Sequence, residues 1–180
     1  KAYFKKKTKL KCYEIKDLNL KSLIKIRVNY KQAGSDRLAN AISVQNNKDN
    51  FIILDFGTAT TFDVVVKKDY KGGIIAPGVK ISLDSLSDKA SLIPKINLKS
   101  TKNIVGNNTI SAVRSGFFWG YVAMIEGLIK KINHENSEVN KIILTGGNAN
   151  FFKDMFDNVY VIDELFTSKG LNFLIDEYKE

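Results

Sequence analysis

The sequence predicts a mixed α/β fold: an antiparallel three-stranded meander followed by helices and strands in alternation. Two observations predict it. Three runs rich in β-branched and aromatic residues, FIILDF (51–56), TFDVVV (61–66) and KGGIIA (71–76), are separated only by GTAT and KKDY. From residue 79 onward, stretches of helical period alternate with short apolar runs.

The elements follow in order. LKSLIKIRV (20–28) alternates loosely and reads as a strand. DRLANAISV (36–44) reads as a short helix with Leu38, Ala41 and Ile42 on one face, capped by Ser35 or Asp36. The polar run QNNKDN (45–50) is a turn or short loop before the meander. Residues 79–92 are helical in period and are stopped by Pro94. Asn107 or Asn108 caps a long helix to about Ile132, whose apolar positions recur at spacings of three and four. Its stripe is wide enough for two partners, the sheet and a second subunit, and Gly116 and Gly120 would let another element approach closely. KIILTGG (141–147) is a strand running into a glycine turn. Residues 148–156 are helical, 159–163 form a strand and 164–178 a closing helix. The order from residue 51, β-β-β-α-α-β-α-β-α, is the layout of a ribonuclease H-like half-domain, as used by actin-like ATPases and sugar kinases. Such a layout by itself says nothing about activity.

Composition narrows the function classes. Of 180 residues, 44% are hydrophobic and 26% charged, a globular balance. No run approaches the roughly 20 apolar residues that span a bilayer, and no signal peptide is visible. The lone cysteine, Cys12, cannot pair internally, which fits a reducing cytosol. The net charge of +9 lies wholly in residues 1–31, where eleven Lys or Arg face two acids; the remainder balances, seventeen against seventeen. Aromatics do not interleave those lysines as a nucleic-acid stacking platform would, so a solvated basic face is expected, with neither nucleic acid nor membrane as partner. Residue 1 is Lys and not Met, which reads as a fragment or a processed product.

Several turns could carry chemistry. In DFGTATT (55–61), Asp55 ends a strand and could hold a cation. Gly57 would free the backbone, and Thr58, Thr60 and Thr61 add hydroxyls to a phosphate-binding turn. The alternative is a hairpin whose threonines merely form strand. Gly146 and Gly147 bring backbone close to whatever rests at a helix start, or serve tight packing. GGIIAPG (72–78) is a strand with a sharp exit. In AGSDRLAN (33–40), Asp36 could accept a hydrogen bond from a substrate hydroxyl while Arg37 binds a polar group; the plain alternative is a helix cap and a surface ion pair. Thr109 is either a first-turn residue or a hydroxyl facing a ligand. His134 sits in a polar stretch and reads as a surface residue. No zinc-ligand spacing, P-loop or dinucleotide fingerprint occurs.

Taken together and in order, AGSDRLANAI, DFGTATTFDVV, YKGGIIAPGVKISLDSL, NNTISAVRSGFFWGY and TGGNA resemble type III pantothenate kinases over roughly residues 20–175. The resemblance implies a cytoplasmic homodimer that transfers the γ-phosphate of ATP to the primary hydroxyl of pantothenate, the first step of coenzyme A synthesis. It implies Mg²⁺ and a monovalent cation, K⁺ or NH₄⁺. It implies residues 1–45 as the remnant of an N-terminal ribonuclease H-like domain bearing the substrate loop, and 46–180 as the C-terminal one. Gly34, Ser35, Asp36 and Arg37 match the family's Gly-Ala-Asp-Arg substrate loop, with Asp36 the proton acceptor. Asp55 matches the monovalent-cation ligand, Thr58 an ATP contact and Thr109 a pantothenate contact, with Gly57, Gly146 and Gly147 at the nucleotide. Three departures stand out: Ser35 for Ala, Arg27 where an aromatic substrate contact is usual, and Tyr30 where Pro is common. The family's opening Asp-x-Gly-Asn-Thr phosphate turn is absent from this sequence, so the chain alone is expected to be nearly inactive and to bind ATP weakly. The alternatives are an accessory protein of the same fold and another small-molecule kinase of the superfamily.

Overall fold

A computed structural model describes residues 13–45, 48–136 and 140–178. Residues 1–12 of the basic arm, Cys12 among them, and part of the 45–50 turn lie outside the described residues. Six strands, β1 (Lys25–Ile26), β2 (Asn50–Phe56), β3 (Ala59–Val66), β4 (Asp69–Pro77), β5 (Lys141–Thr145) and β6 (Val159–Ile162), form one sheet in the order β1-β4-β3-β2-β5-β6. β2, β3 and β4 pair antiparallel, whereas β5 joins β2 in parallel and β6 joins β5 in parallel. Strands β4 to β6 in this order are those of a ribonuclease H-like domain, with β1 added in parallel along the β4 edge. The helices are α1 (Ser35–Ile42), α2 (Val79–Lys89), α3 (Thr109–Asn136), the single turn α4 (Ala149–Phe152) and α5 (Phe166–Glu177).

Alternation along each strand sends side chains to two cores. On one face Phe51, Ile53, Val65 and Ile143 pack with α1, α5 and the segment Ile15–Ile24. On the other, Ile52, Leu54, Phe62, Val64, Ile142 and Leu144 pack with α2, α3 and α4. β2 and β3 are buried on both faces, which is why 51–54 and 61–66 read as near-continuous apolar runs rather than as clean alternation. The aromatic centre of the second core is Phe152, which stacks on Phe56 at 5.4 Å and on Phe118 at 6.1 Å between ring centroids.

Several boundaries differ from expectation. Only Lys25 and Ile26 of 20–28 are strand; Leu20–Ser22 turns as a 3-10 helix that buries Leu20. The helix after β4 ends at Lys89, five residues before Pro94, and 148–156 holds one α-turn and a 3-10 turn. Asn108 does cap α3, its Oδ1 accepting from the Ser111 amide at 3.0 Å. The buried stripe of α3 is Phe118, Tyr121, Val122, Ile125 and Ile132. Gly116 and Gly120 face open space, so no described part of this chain makes the close approach expected there.

Candidate functional site

The site lies where β2, β4 and β5 end and β3 begins. Asp55 pairs with Thr61 on one side and Thr145 on the other, so three oxygen-bearing side chains line up across the sheet on the α1 face. One strand position deeper on the same face is Asp63, paired with Gly73 of β4. The first turn of α1 sits over these rows and carries Asp36 and Arg37. Asn40, one helical turn after Asp36, donates from Nδ2 to Asp55 Oδ2 at 3.4 Å, and its Oδ1 accepts from the Thr167 hydroxyl of α5 at 2.7 Å. A carboxylate can only accept, so the amide orientation follows from its partners.

The electrostatics follow from burial. Burial pushes the Asp55 carboxyl upward, the Asn40 hydrogen bond pulls it back, and the negative charge of Asp36 pushes it up again. The Asp36 charge is thus felt at Asp55. Asp63 is completely buried. Its Oδ1 accepts from Arg37 Nε at 2.7 Å and from the Tyr70 hydroxyl at 2.8 Å. Burial raises its carboxyl from 3.8 to about 6, although Arg37 and these hydrogen bonds pull downward. Burial and the Asp63 charge hold the Tyr70 hydroxyl well above the usual tyrosine range, so it stays a donor.

The glycines sort by what a side chain would meet. A Cβ on Gly34 would run into the Asp36 carboxylate, which folds back over it. Gly78 lets the β4 exit lie against the 57–58 turn, its amide bonded to the Thr58 carbonyl at 3.0 Å. Gly146 has φ +85° and a Cβ there would strike the Asp55 carboxylate and come within 2.7 Å of the Phe56 amide. Gly147 has nothing within 4 Å.

The expected residues fall into two groups: Asp55, Gly57, Thr58, Gly146 and Gly147 lie on adjoining turns at this end of the sheet, and Gly34, Ser35, Asp36 and Arg37 open the helix above it, tied to the sheet through Arg37 and Asp63. Thr109 does not join them. It opens α3, which packs on the opposite face. Five expectations are corrected in their physical basis. The helix cap is Gly34, because the helix begins one residue earlier, at Ser35, whose hydroxyl bonds Glu14 at 3.0 Å. Gly57 is not in the left-handed region, and a Cβ there would make only ordinary contacts at 3.5 and 3.7 Å. Thr60 faces the other side, where its hydroxyl bonds that of Tyr121. α4, with four residues, is too short for a helix dipole to favour an anion at Gly146 and Gly147. Arg37 makes a buried ion pair rather than a surface one. Arg27 and Tyr30 are committed elsewhere. Arg27 pairs with Asp69 at 2.7 Å, and the Tyr30 hydroxyl donates to the Ile15 carbonyl at 3.0 Å.

Sequence reasoning missed Asp63, Asn40 and Thr145. The signal for Asp63 was present: a lone acid inside the apolar run TFDVVV must be paired if it is buried. Thr145 Oγ1, Asp63 Oδ2 and Arg37 Nη2 are buried without a hydrogen-bond partner, all on this face of the sheet. No cluster of three acidic, histidine or cysteine side chains suited to a metal stands among the described residues.

Comparison with known proteins identifies the family. The type III pantothenate kinase family profile matches residues 1–131. A type III pantothenate kinase of Pelagibacter ubique is 61% identical over 171 residues, 95% of this chain and 69% of its own length. One from Citrifermentans bemidjiense is 39% identical over 153 residues, 84% of this chain and 60% of its own. The chain thus spans about two thirds of these relatives. A Baf-family protein of Campylobacter jejuni shares the fold, with a TM-score of 0.63 at 23% identity over 90% of this chain and 73% of that one. By profile and by sequence identity, the chain belongs to the type III pantothenate kinase family.

Proposed function

We propose that the chain carries the acceptor loop and part of the nucleotide cleft of an enzyme that phosphorylates the primary hydroxyl of pantothenate with ATP, in the cytoplasm. One observation carries the reading: Asn40, one turn after Asp36 on α1, hydrogen-bonds Asp55, so the helix that bears Asp36 lies against Asp55. Phosphoryl transfer passes through a loose transition state, so the protein contributes mainly position and charge. Asp36 orients the acceptor hydroxyl and takes its proton late, when bond cleavage has made that proton acidic. The turn at Gly57–Thr58 and the open backbone at Gly147 flank the nucleotide on the other side.

The residues at Asp55 fit a monovalent cation. The carboxylate is flanked by a buried, unpartnered hydroxyl on Thr145, and hard cations take oxygen ligands. Such an ion would offset the mutual repulsion of Asp36, Asp55 and the phosphates. The described residues offer Mg²⁺ no protein cage, and on this reading it arrives on the ATP phosphates.

We read residues 1–45 as part of a preceding ribonuclease H-like domain whose α1 lies over the sheet of the 46–180 domain. Thr109 starts a helix on the far face, so it reaches pantothenate from a second copy of the chain. The open positions Gly116 and Gly120, with half-buried Phe117 and Met124 beside them, suit such a homodimer. Light scattering on the gene product tests this; a monomer at micromolar concentration refutes it.

The decisive experiment is Asp36→Ala in the gene product. Loss of a general base lowers kcat by about 10²–10⁴-fold. A folded variant with near-normal pantothenate-dependent ADP release refutes the kinase assignment.

A further inference from the structure

Asp63 is an acid in the interior of β3, fully buried, with no part in the reaction as described above. Its partner Arg37 follows Asp36 directly, and the arginine side chain is only 15% exposed. The pair is made through one edge of the guanidinium: Nε meets Oδ1 at 2.7 Å. The Tyr70 hydroxyl holds the same oxygen from the other side at 2.8 Å. Gly73 lies opposite Asp63 on β4; a Cβ there would strike the Phe62 carbonyl and would also come within 2.8 Å of Arg37 Nη2.

Arg37 Nη2 is itself buried with no partner. A buried donor without an acceptor is costly, and a charged one more so. A guanidinium has two usable edges, and the Nε edge is taken. The remaining edge, which includes Nη2, has the geometry to grip a carboxylate in a two-bond fork. Next to Gly73 on the same face of β4 is Ile75, 64% exposed beside Thr61. An isoleucine left bare at the mouth of a polar cleft offers an apolar wall beside the arginine.

We propose that Asp63 is a positioning residue for acceptor selection: by holding the Nε edge of Arg37 from within the sheet, it aims the other edge at the carboxylate of the acceptor alcohol, so that the site favours alcohols that carry an acid group. The inference rests on the pantothenate-kinase reading and deepens it. Asp63 touches no reacting atom and acts only through Arg37.

The test compares two acceptors on the gene product: pantothenate, and pantothenyl alcohol, in which a hydroxymethyl group replaces the carboxylate. Asp63→Asn keeps the shape and loses the charge that fixes Arg37. A charge-assisted hydrogen bond is worth about 10–100-fold, so kcat/KM for pantothenate falls by about that factor, mostly through KM. KM for ATP and kcat/KM for pantothenyl alcohol stay within about threefold. Arg37→Lys, which lacks the fork, likewise loses more for pantothenate than for pantothenyl alcohol, and the double variant is no worse than the worse single one. Tyr70→Phe, which removes one hydrogen bond and little volume, provides a milder variant should Asp63→Asn fold poorly; it shifts the same ratio in the same direction. Equal losses for both alcohols, or an unchanged ratio, overturn the inference while the kinase reading stands. A wild-type protein that turns over neither alcohol overturns the kinase reading and this inference with it.

Discussion

A carboxylate completely buried inside a β-sheet should leave a signature in the pH dependence of stability. Asp63 titrates near 3.8 when unfolded and at about 6 in the fold, raised chiefly by burial. Between those values the folded state binds the extra proton, so the contribution of this group to stability falls as pH rises from about 4 to about 6. Below the lower value both states are protonated, and above the upper value both are ionised, so the effect is flat outside the window. A shift from 3.8 to about 6 corresponds to about 3 kcal/mol at 1.36 kcal/mol per pKa unit. Asp63→Asn cannot titrate. The difference between variant and wild type should therefore move in the variant's favour by about 3 kcal/mol as pH rises from 4 to 6.5. At neutral pH the variant still leaves Arg37 buried without a counter-charge, a loss of about 3–5 kcal/mol that opposes this gain. The slope of the difference, not its absolute value, is thus the diagnostic. Urea unfolding followed by circular dichroism at half-unit pH steps measures it on this chain. A difference that stays flat within about 0.5 kcal/mol across the window refutes the reasoning, since it would mean that Asp63 is solvated in the folded state.

The glycine turn after β5 separates two roles. Gly146→Ala forces a side chain into a left-handed backbone and onto the Asp55 carboxylate, and should cost about 1–3 kcal/mol or more of stability, read as a drop in Tm. Gly147→Ala meets nothing within 4 Å and should change stability by less than about 0.5 kcal/mol, yet raise KM for ATP if the nucleotide lies there. Phe152→Ala, at the aromatic centre of the second core, should lose about 3–5 kcal/mol in urea unfolding, with a smaller loss arguing that the core collapses around the cavity.

The meander was legible because β-branched runs broken by short polar turns leave few alternatives; its register was not, and β3 and β4 slip against each other between Val64 and Val65. α3 was legible from its stripe and from the cap at Asn108. The first strand was not: LKSLIKIRV alternates, but Leu20 is buried by a 3-10 turn, and only two residues find room against the edge of β4. The site turns could be located because their glycines and hydroxyls sit at strand ends. Their internal wiring could not. Nothing in the spacing of Arg37 and Asp63, 26 residues apart, says that they meet, because the contact depends on which face of β3 turns toward α1. Thr109 was placed with the acceptor loop by family likeness alone. Within one chain strand parity separates the two, since α3 packs on the even-numbered residues of β2 and α1 on the odd-numbered ones.

The unpartnered buried atoms also argue for function. Replacing a buried ion pair by well-packed apolar residues often leaves a protein as stable or more so. Here Arg37 Nη2, Asp63 Oδ2 and Thr145 Oγ1 are unpaired on one face of one sheet, toward the end that carries Asp55. On the opposite face the buried threonine, Thr60, has its partner in Tyr121. Buried unpaired atoms occur elsewhere as well, Trp119 Nε1 on α3 among them, but these three neighbour one another on adjacent strands and on the helix above them, where ligands would resolve the conflict. If these atoms are held ready for an acceptor acid and a cation, then pantothenate and K⁺ together should raise the Tm of the gene product by more than the sum of their separate effects. Strictly additive shifts would instead make the three atoms independent structural defects.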